Sequence, residues 1–338
     1  MDLDQVQARR AARARDRRAR ARRRRAAALG AVAVVVALTA VIVIASSGGG
    51  DTSRIAASGR RDVRASHRGR GAGRGAAATR KGHDGSTVTG TATGRPGMTP
   101  VPILTYHVIA PPPPGAPFPG LYVPADEFAA QMAALKSAGW HPVTLDQLQA
   151  FWSRGVPLGH GKPVVLTFDN GYHSQYANAL PVLKRLGWVA DENIQLSGLP
   201  PSQGGLTDPE VRALIAAGWE LDTQGISHAD LVTLDAGSLH YQVATARLIL
   251  RQRYGVPVNW FCYPSGHYNA TVIAAVRAAG FVGSTTTIPG IASPANDPYR
   301  LPRLRVLAGT SGPALLAEID SAHGDSLPPA SYGEPGTT

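Results

Sequence analysis

The 338-residue chain has a single cysteine, Cys262. No intrachain disulfide can form, so the folded part must be held by packing, even in an oxidising compartment. The first hundred residues are poor in acid, with 6 Asp and Glu against 21 Lys and Arg, whereas residues 101–338 carry 17 against 13. The positive excess behind the formal net charge of +11 therefore lies entirely in the first hundred residues, and the remainder is mildly acidic. The remainder lacks the positive excess that a nucleic-acid-binding surface needs, and nucleic acid is not an expected partner. Self-similarity at a period of ~20 to 50 residues is also missing, which argues against a solenoid.

Charge disappears altogether from Ala26 to Gly50, directly after the arginine block "RRAARARDRRARARRRR". About 20 apolar residues suffice to cross the bilayer as a helix. Residues 26–46 are expected to be a signal anchor, with the basic segment 1–25 in the cytoplasm and the rest outside it. That makes the chain a single-pass protein of the cell membrane. A cleaved signal peptide is the competing expectation, but the run is long for one and "SSGGG" is a weak cleavage site. Residues 47–100, rich in Gly, Ala, Ser and Arg, contain too little apolar surface to offset ordering entropy and are expected to be a disordered linker. Its cations either hold it against anionic wall polymers or simply keep it solvated.

From Val101 the pattern becomes short apolar runs alternating with amphipathic stretches. Strands are expected at "VPILTYHVI", "KPVVLTF", "VADENIQL", "WELDTQG", "VNWFCYP", "FVGSTTT" and "YRLPRLRV", with helices between them. Pro181 should kink or restart the helix in which it falls. About seven strand–helix units over residues 101–323 imply an α/β fold, either a parallel barrel or a doubly wound sheet, followed by a flexible tail at 324–338. In such folds the loops after the strands collect the chemistry. They hold Tyr106 and His107, then "FDNGYH" (Asp169 to His173), "DTQGISH" (Asp222 to His228) and "YPSGHYN" (Tyr263 to Asn269).

These stretches, in this order, resemble the NodB-homology polysaccharide deacetylases, carbohydrate esterase family 4. "LTFDNGY" stands against the family's TFDDG pattern, "ELDTQGISHADL" against S-H-x-x-x-H-P-x-L, and "FCYPSGHYN" against F-x-Y-P-x-G-x-Y-N, with "PILTYH" before them and "YRLPRLRV" after. The resemblance spans nearly all of 101 to about 321 and implies a distorted (β/α) barrel. It also implies removal of N- or O-acetyl groups from a polysaccharide such as peptidoglycan, with a divalent metal such as zinc as cofactor and no organic cofactor. Carried over, Asp169 takes the place of the base and His228 that of a metal-ligating histidine. Two positions depart from the pattern: Asn170 stands where the family has a ligand Asp, and Gln224 where it has the first His. Neutral amide oxygens are poor partners for a borderline-soft ion, so the usual metal site is incomplete.

Three outcomes remain open on the sequence. The chain is a pseudoenzyme that binds glycan without cleaving it; or Asp222, two residues from Gln224 on an extended strand, joins Asp169, His228 and His173 around another metal; or Asp169 or a histidine works without metal. Weighed against the second are an ordinary Asp222–arginine pair and an exposed, helix-start His173. His107, His173, Tyr263, Pro264 and Tyr268 are candidates to line the substrate groove. Trp188 is a sugar platform only if exposed, Trp219 and Trp260 are expected in the core, and Cys262 is expected as a packing residue. No general acid is assigned.

Overall fold

The computed structural model describes residues 92–197, 199, 204–322 and 327–333. The expected cytoplasmic segment and signal anchor, and most of the linker, lie outside these residues. Among the described residues no helix is long and apolar enough to cross a membrane.

Eight strands pair in parallel: β1 (Ile103–Tyr106), β2 (Trp140–Pro142), β3 (Lys162–Asn170), β4 (Asp191–Ile194), β5 (Glu220–Thr223), β6 (Trp260–Cys262), β7 (Gly283–Thr285) and β8 (Leu304–Arg305). Their order is β7-β6-β5-β4-β3-β1-β8, with β2 added alongside the start of β3. The sheet curls towards closure because one short segment serves both of its edges. Leu301 exchanges backbone hydrogen bonds with Ser284 and Thr286 beside β7, and three residues later Leu304 pairs with β1. The distorted barrel implied by the resemblance is the fold observed, in the form of a curled parallel sheet.

Alternation along the strands separates a packing face from a polar interior. Leu104 and Tyr106 of β1, with Leu166 and Phe168 of β3, pack outward against Phe128, Met132 and Leu135 of α1 (Ala125–Ser137). Phe168 stacks on Trp219 with ring centroids 4.8 Å apart. Burial of each such side chain stabilises by about 1.5–3 kcal/mol. Because Phe168 points outward, Thr167 and Asp169 turn in, where both accept hydrogen bonds from the Arg303 guanidinium. Two of the three polar letters at the centre of "VADENIQL" have the same explanation: Asp191 and Asn193 of β4 are fully buried, Asp191 accepting from Leu145 N and Asn193 donating to Asp169.

Helices α2 (Leu145–Arg154), α3 (Leu180–Leu186), α4 (Asp208–Ala216), α5 (Ala236–His240), α6 (Ala246–Tyr254), α7 (Ala270–Ala278) and α8 (Gly312–Ser321) fill the connections. Pro181 sits in the first turn of α3, after a wide π-type turn at Gln175–Ala179, so the helix restarts there. The long helix expected over 235–254 is likewise interrupted by a π-type turn at Tyr241–Thr245. The end of the expected linker is ordered: Gly94 and Gly97 donate to Arg154 and Phe151 carbonyls, and Trp152 Nε1 donates to Thr99 O at 3.0 Å. Part of the expected flexible tail is ordered too, since Tyr332 forms a backbone bridge with Tyr268.

Candidate active site

The centre of the barrel is a buried ion pair. Asp169, at the C-terminal end of β3, is 2% exposed, as is Arg303. Their contact is bidentate, Arg303 Nη1 to Asp169 Oδ1 and Nη2 to Oδ2, each at 2.9 Å. Asn193 Nδ2 adds a third bond to Oδ1 at 2.9 Å. Burial alone would raise the Asp169 pKa, but the Arg303 charge and its hydrogen bonds outweigh it and hold the carboxyl well below the usual range. Cys262 lies against both partners, its Sγ 3.5 Å from Asp169 Oδ2 and 3.3 Å from Arg303 Nη2. Burial pushes this thiol up to about 12, so it stays protonated and packs, as expected.

His107 follows β1 and places Nε2 4.0 Å from Asp169 Oδ2. Burial lowers its pKa to about 4 despite the opposing pull of Asp169, so the ring is neutral at neutral pH. Its Nδ1 is buried without a hydrogen-bond partner.

The three positions that would carry a metal hold a different chemistry. Asn170 adopts a left-handed backbone (φ +80°), which asparagine tolerates better than most residues, and its amide donates to Gln195 Oε1 at 3.1 Å. Gln224, just beyond β5, lies with its Nε2 3.5 Å from His228 Nε2, and its own Oε1 is buried without a partner. His228 is exposed; its Nε2 also faces the Ser265 amide at 3.4 Å, and partial desolvation lowers its pKa, which favours the neutral ring. The donor set is thus one imidazole and neutral amides, with no carboxylate and no second histidine. Such a set does not fit zinc, which is held by Cys, His and carboxylate ligands in threes and fours.

Several expected members of the site lie elsewhere. Asp222 does face inward on the same side of β5 as Gln224, but its Oδ1 accepts the backbone N–H groups of Asn259 and Trp260 at 3.1 and 2.8 Å. It gathers with Asp191 and Glu220 near the N-terminal ends of β4 and β5, not with Asp169, His228 and His173. Neither is it paired with an arginine. His173 is exposed, with its Nδ1 2.8 Å from Glu210 Oε1 at the surface. Tyr263 and Tyr268 are fully buried, their hydroxyls donating to Tyr299 O (3.0 Å) and Pro329 O (2.8 Å), so neither ring offers a face to a sugar. Pro264 is buried beneath the Ser265 turn. Trp188, Trp219 and Trp260 are buried as well. Beside the motif turn, an open cleft of about 360 Å³ is lined by Gly171, Gln195, Ser197, Thr207, Arg253 and Tyr254.

Arg303, Asn193 and Gln195 are the site residues that the motif comparison passed over. Arg303 lies inside the quoted "YRLPRLRV", but it is one of three arginines there and its letter did not single it out. Asn193 and Gln195 carried a weak signal, polar letters in a strand that the pattern would make apolar.

A family model described as polysaccharide deacetylase matches residues 159–284. YxkH, a Bacillus subtilis protein named for polysaccharide deacetylase activity, is 30% identical over 222 residues, covering 65% of this chain and 76% of that protein. Among solved structures, the Streptococcus pyogenes deacetylase PplD, in complex with acetate, superposes with a TM-score of 0.61 at 27% identity, covering 67% of this chain and 99% of that one. BC0361, a polysaccharide deacetylase from Bacillus cereus, shares the fold at 24% identity and a TM-score of 0.58, over 66% of this chain and 69% of its own.

Proposed function

The chain belongs to the polysaccharide deacetylase family, and from that premise we propose that it acts on an acetylated cell-envelope glycan, hydrolysing N- or O-acetyl groups outside the cytoplasm. The segment 26–46 would anchor it, and the linker cations would lie against anionic wall polymer. What carries the proposal is the retention of Asp169 as a fixed anion at the family's base position, locked by Arg303 and faced by His107.

The absence of a fitting zinc ligand set shifts the roles. A carboxylate held so far below its usual range is a weak proton acceptor near neutral pH. His228, neutral and open to solvent, is the better base for a water attacking an acyl carbon, and the departing oxygen or nitrogen then takes that proton back. Asp169 acts as the charge partner that favours an imidazolium at His107 or His228. This chemistry suits an ester more readily than an amide, whose leaving group is poorer.

A second reading rests on the amides. Asn170 and Gln224 offer donors and acceptors suited to sugar hydroxyl and acetamido groups, and with no metal to polarise the acyl oxygen the domain would bind glycan without cleaving it. Acetate release from a panel of O- and N-acetylated glycans, with and without chelator, separates these outcomes. Chelator-resistant release that is lost in His228→Ala supports hydrolysis. Binding without release supports the second reading, and release that appears only with added zinc contradicts both.

A further inference from the structure

At the opposite end of the strands lies an acidic group that the proposed chemistry does not use. Asp191, Glu220 and Asp222 each bring a carboxylate oxygen within 4.8 Å of the others. Asp191 and Asp222 are 0% exposed. Backbone amides orient all three. Leu145 N donates to Asp191 Oδ1 at 2.9 Å, Asp146 N to one Glu220 oxygen at 3.1 Å, and Asn259 and Trp260 N to Asp222 Oδ1. Each carboxylate has one oxygen tied in this way and a second, Asp191 Oδ2, Glu220 Oε1 and Asp222 Oδ2, buried with no hydrogen-bond partner.

The charge balance sharpens the point. Asp146 adds a fourth carboxylate nearby, already receiving Asn259 Nδ2 at 2.7 Å and Trp260 Nε1 at 3.1 Å. None of the ion pairs among the described residues supplies this group with a Lys or Arg. Buried carboxylates are ordinarily paired or bound to metal. Asp169, in the same interior, has its arginine.

We propose that Asp191, Glu220 and Asp222 form a binding site for one hard divalent cation, calcium in preference to magnesium, at the N-terminal end of the barrel. All-oxygen, carboxylate-rich ligation is the chemistry of that ion class, and Ca–O distances of about 2.3–2.6 Å match oxygens up to 4.8 Å apart across an ion. Magnesium, which gives up its waters reluctantly, suits this enclosed setting less well. In (β/α) barrels this end governs stability and the other carries chemistry, so the cation's role is to brace β4 and β5 beside Asn193 and Asp169.

The alternative is that the carboxylates share protons, since Glu220 and Asp222 are within hydrogen-bonding reach of each other. Calorimetric titration of calcium and of magnesium into the chelator-treated full-length chain, with thermal unfolding alongside, decides between them. The expected result is saturable binding of one calcium per chain and a raised Tm. Affinity should fall at least tenfold in Asp222→Asn and in Asp191→Asn and stay unchanged in His228→Ala. The proposal is overturned if neither ion binds and Tm is unmoved, or if binding is lost in His228→Ala and kept in the two Asn variants. A gain of stability in Asp222→Asn that is the same with and without calcium assigns the site to shared protons and overturns it equally.

Discussion

The two ends of the barrel interior solve the problem of buried charge in opposite ways. At the C-terminal end Asp169 meets Arg303 in a bidentate pair and is held as an anion. At the N-terminal end Asp191, Glu220 and Asp222 crowd together, and burial with mutual repulsion raises all three pKa values. The two lie close within the sheet, since Asp222 pairs directly opposite Asn193 and Asn193 directly opposite Asp169, while Asp191 and Glu220 open their own strands. The lesson is that neutral side chains stand where the family's metal ligands would be expected, and carboxylates have collected where none is expected.

Breaking the paired end should have the largest effect. Arg303→Met leaves Asp169 as an uncompensated buried charge, and a loss of about 3–5 kcal/mol is expected in chemical denaturation. At the crowded end the sign reverses when divalent cations are absent. Asp191→Asn combined with Asp222→Asn removes two crowded buried carboxyls whose second oxygens have no partner, and a gain of about 1–3 kcal/mol at pH 8 is expected. A loss there in chelator would show that the cluster is already compensated.

The pH dependence sharpens the same contrast. Burial and the Asp146 charge push Glu220 up to about 7, so its folded state holds a proton that the unfolded chain releases near pH 4. Stability from this group is full at low pH and is lost as pH rises through about 7. His107 runs the other way. Its pKa falls to about 4 from an unfolded value near 6.5, so its contribution is full above that value and lost as pH falls through about 4. Urea midpoints measured in chelator between pH 4 and 8 should lose the alkaline decline in Glu220→Gln and soften the acid decline in His107→Gln. The smallest effect is expected from Tyr268→Phe, which removes the bond to Pro329 O at a cost of about 1 kcal/mol and leaves glycan binding unchanged. A large loss of glycan binding would return Tyr268 to the groove.

Much of this was legible in the sequence. Strand and helix alternation gave the fold class because the outer face, with Leu104, Tyr106, Leu166 and Phe168, is apolar at period two. "FDNGY" and "DTQGISHADL" located Asp169, Asn170, Gln224 and His228 because backbone turns confine those residues to one end of the sheet. What was hidden depended on contacts distant in sequence. Arg303 meets Asp169 across 134 positions, and Asp222 is drawn to the amides of Asn259 and Trp260 instead of to His228. Tyr263 and Tyr268 carry a groove motif, yet their rings are consumed by the core. Burial of an aromatic residue is decided by its neighbours and not by its own letter.

The central claim is that the neutral amides at positions 170 and 224 deny the site its zinc. Equilibrium dialysis of zinc against the full-length chain and against Asn170→Asp combined with Gln224→His tests it most directly. The left-handed backbone at Asn170 is one that aspartate also tolerates, so the exchange should preserve the turn. Retention of about one zinc per chain is expected only in the double variant, because only there does the set become two imidazoles and a carboxylate. Equal, stoichiometric zinc in the unaltered chain would contradict the account.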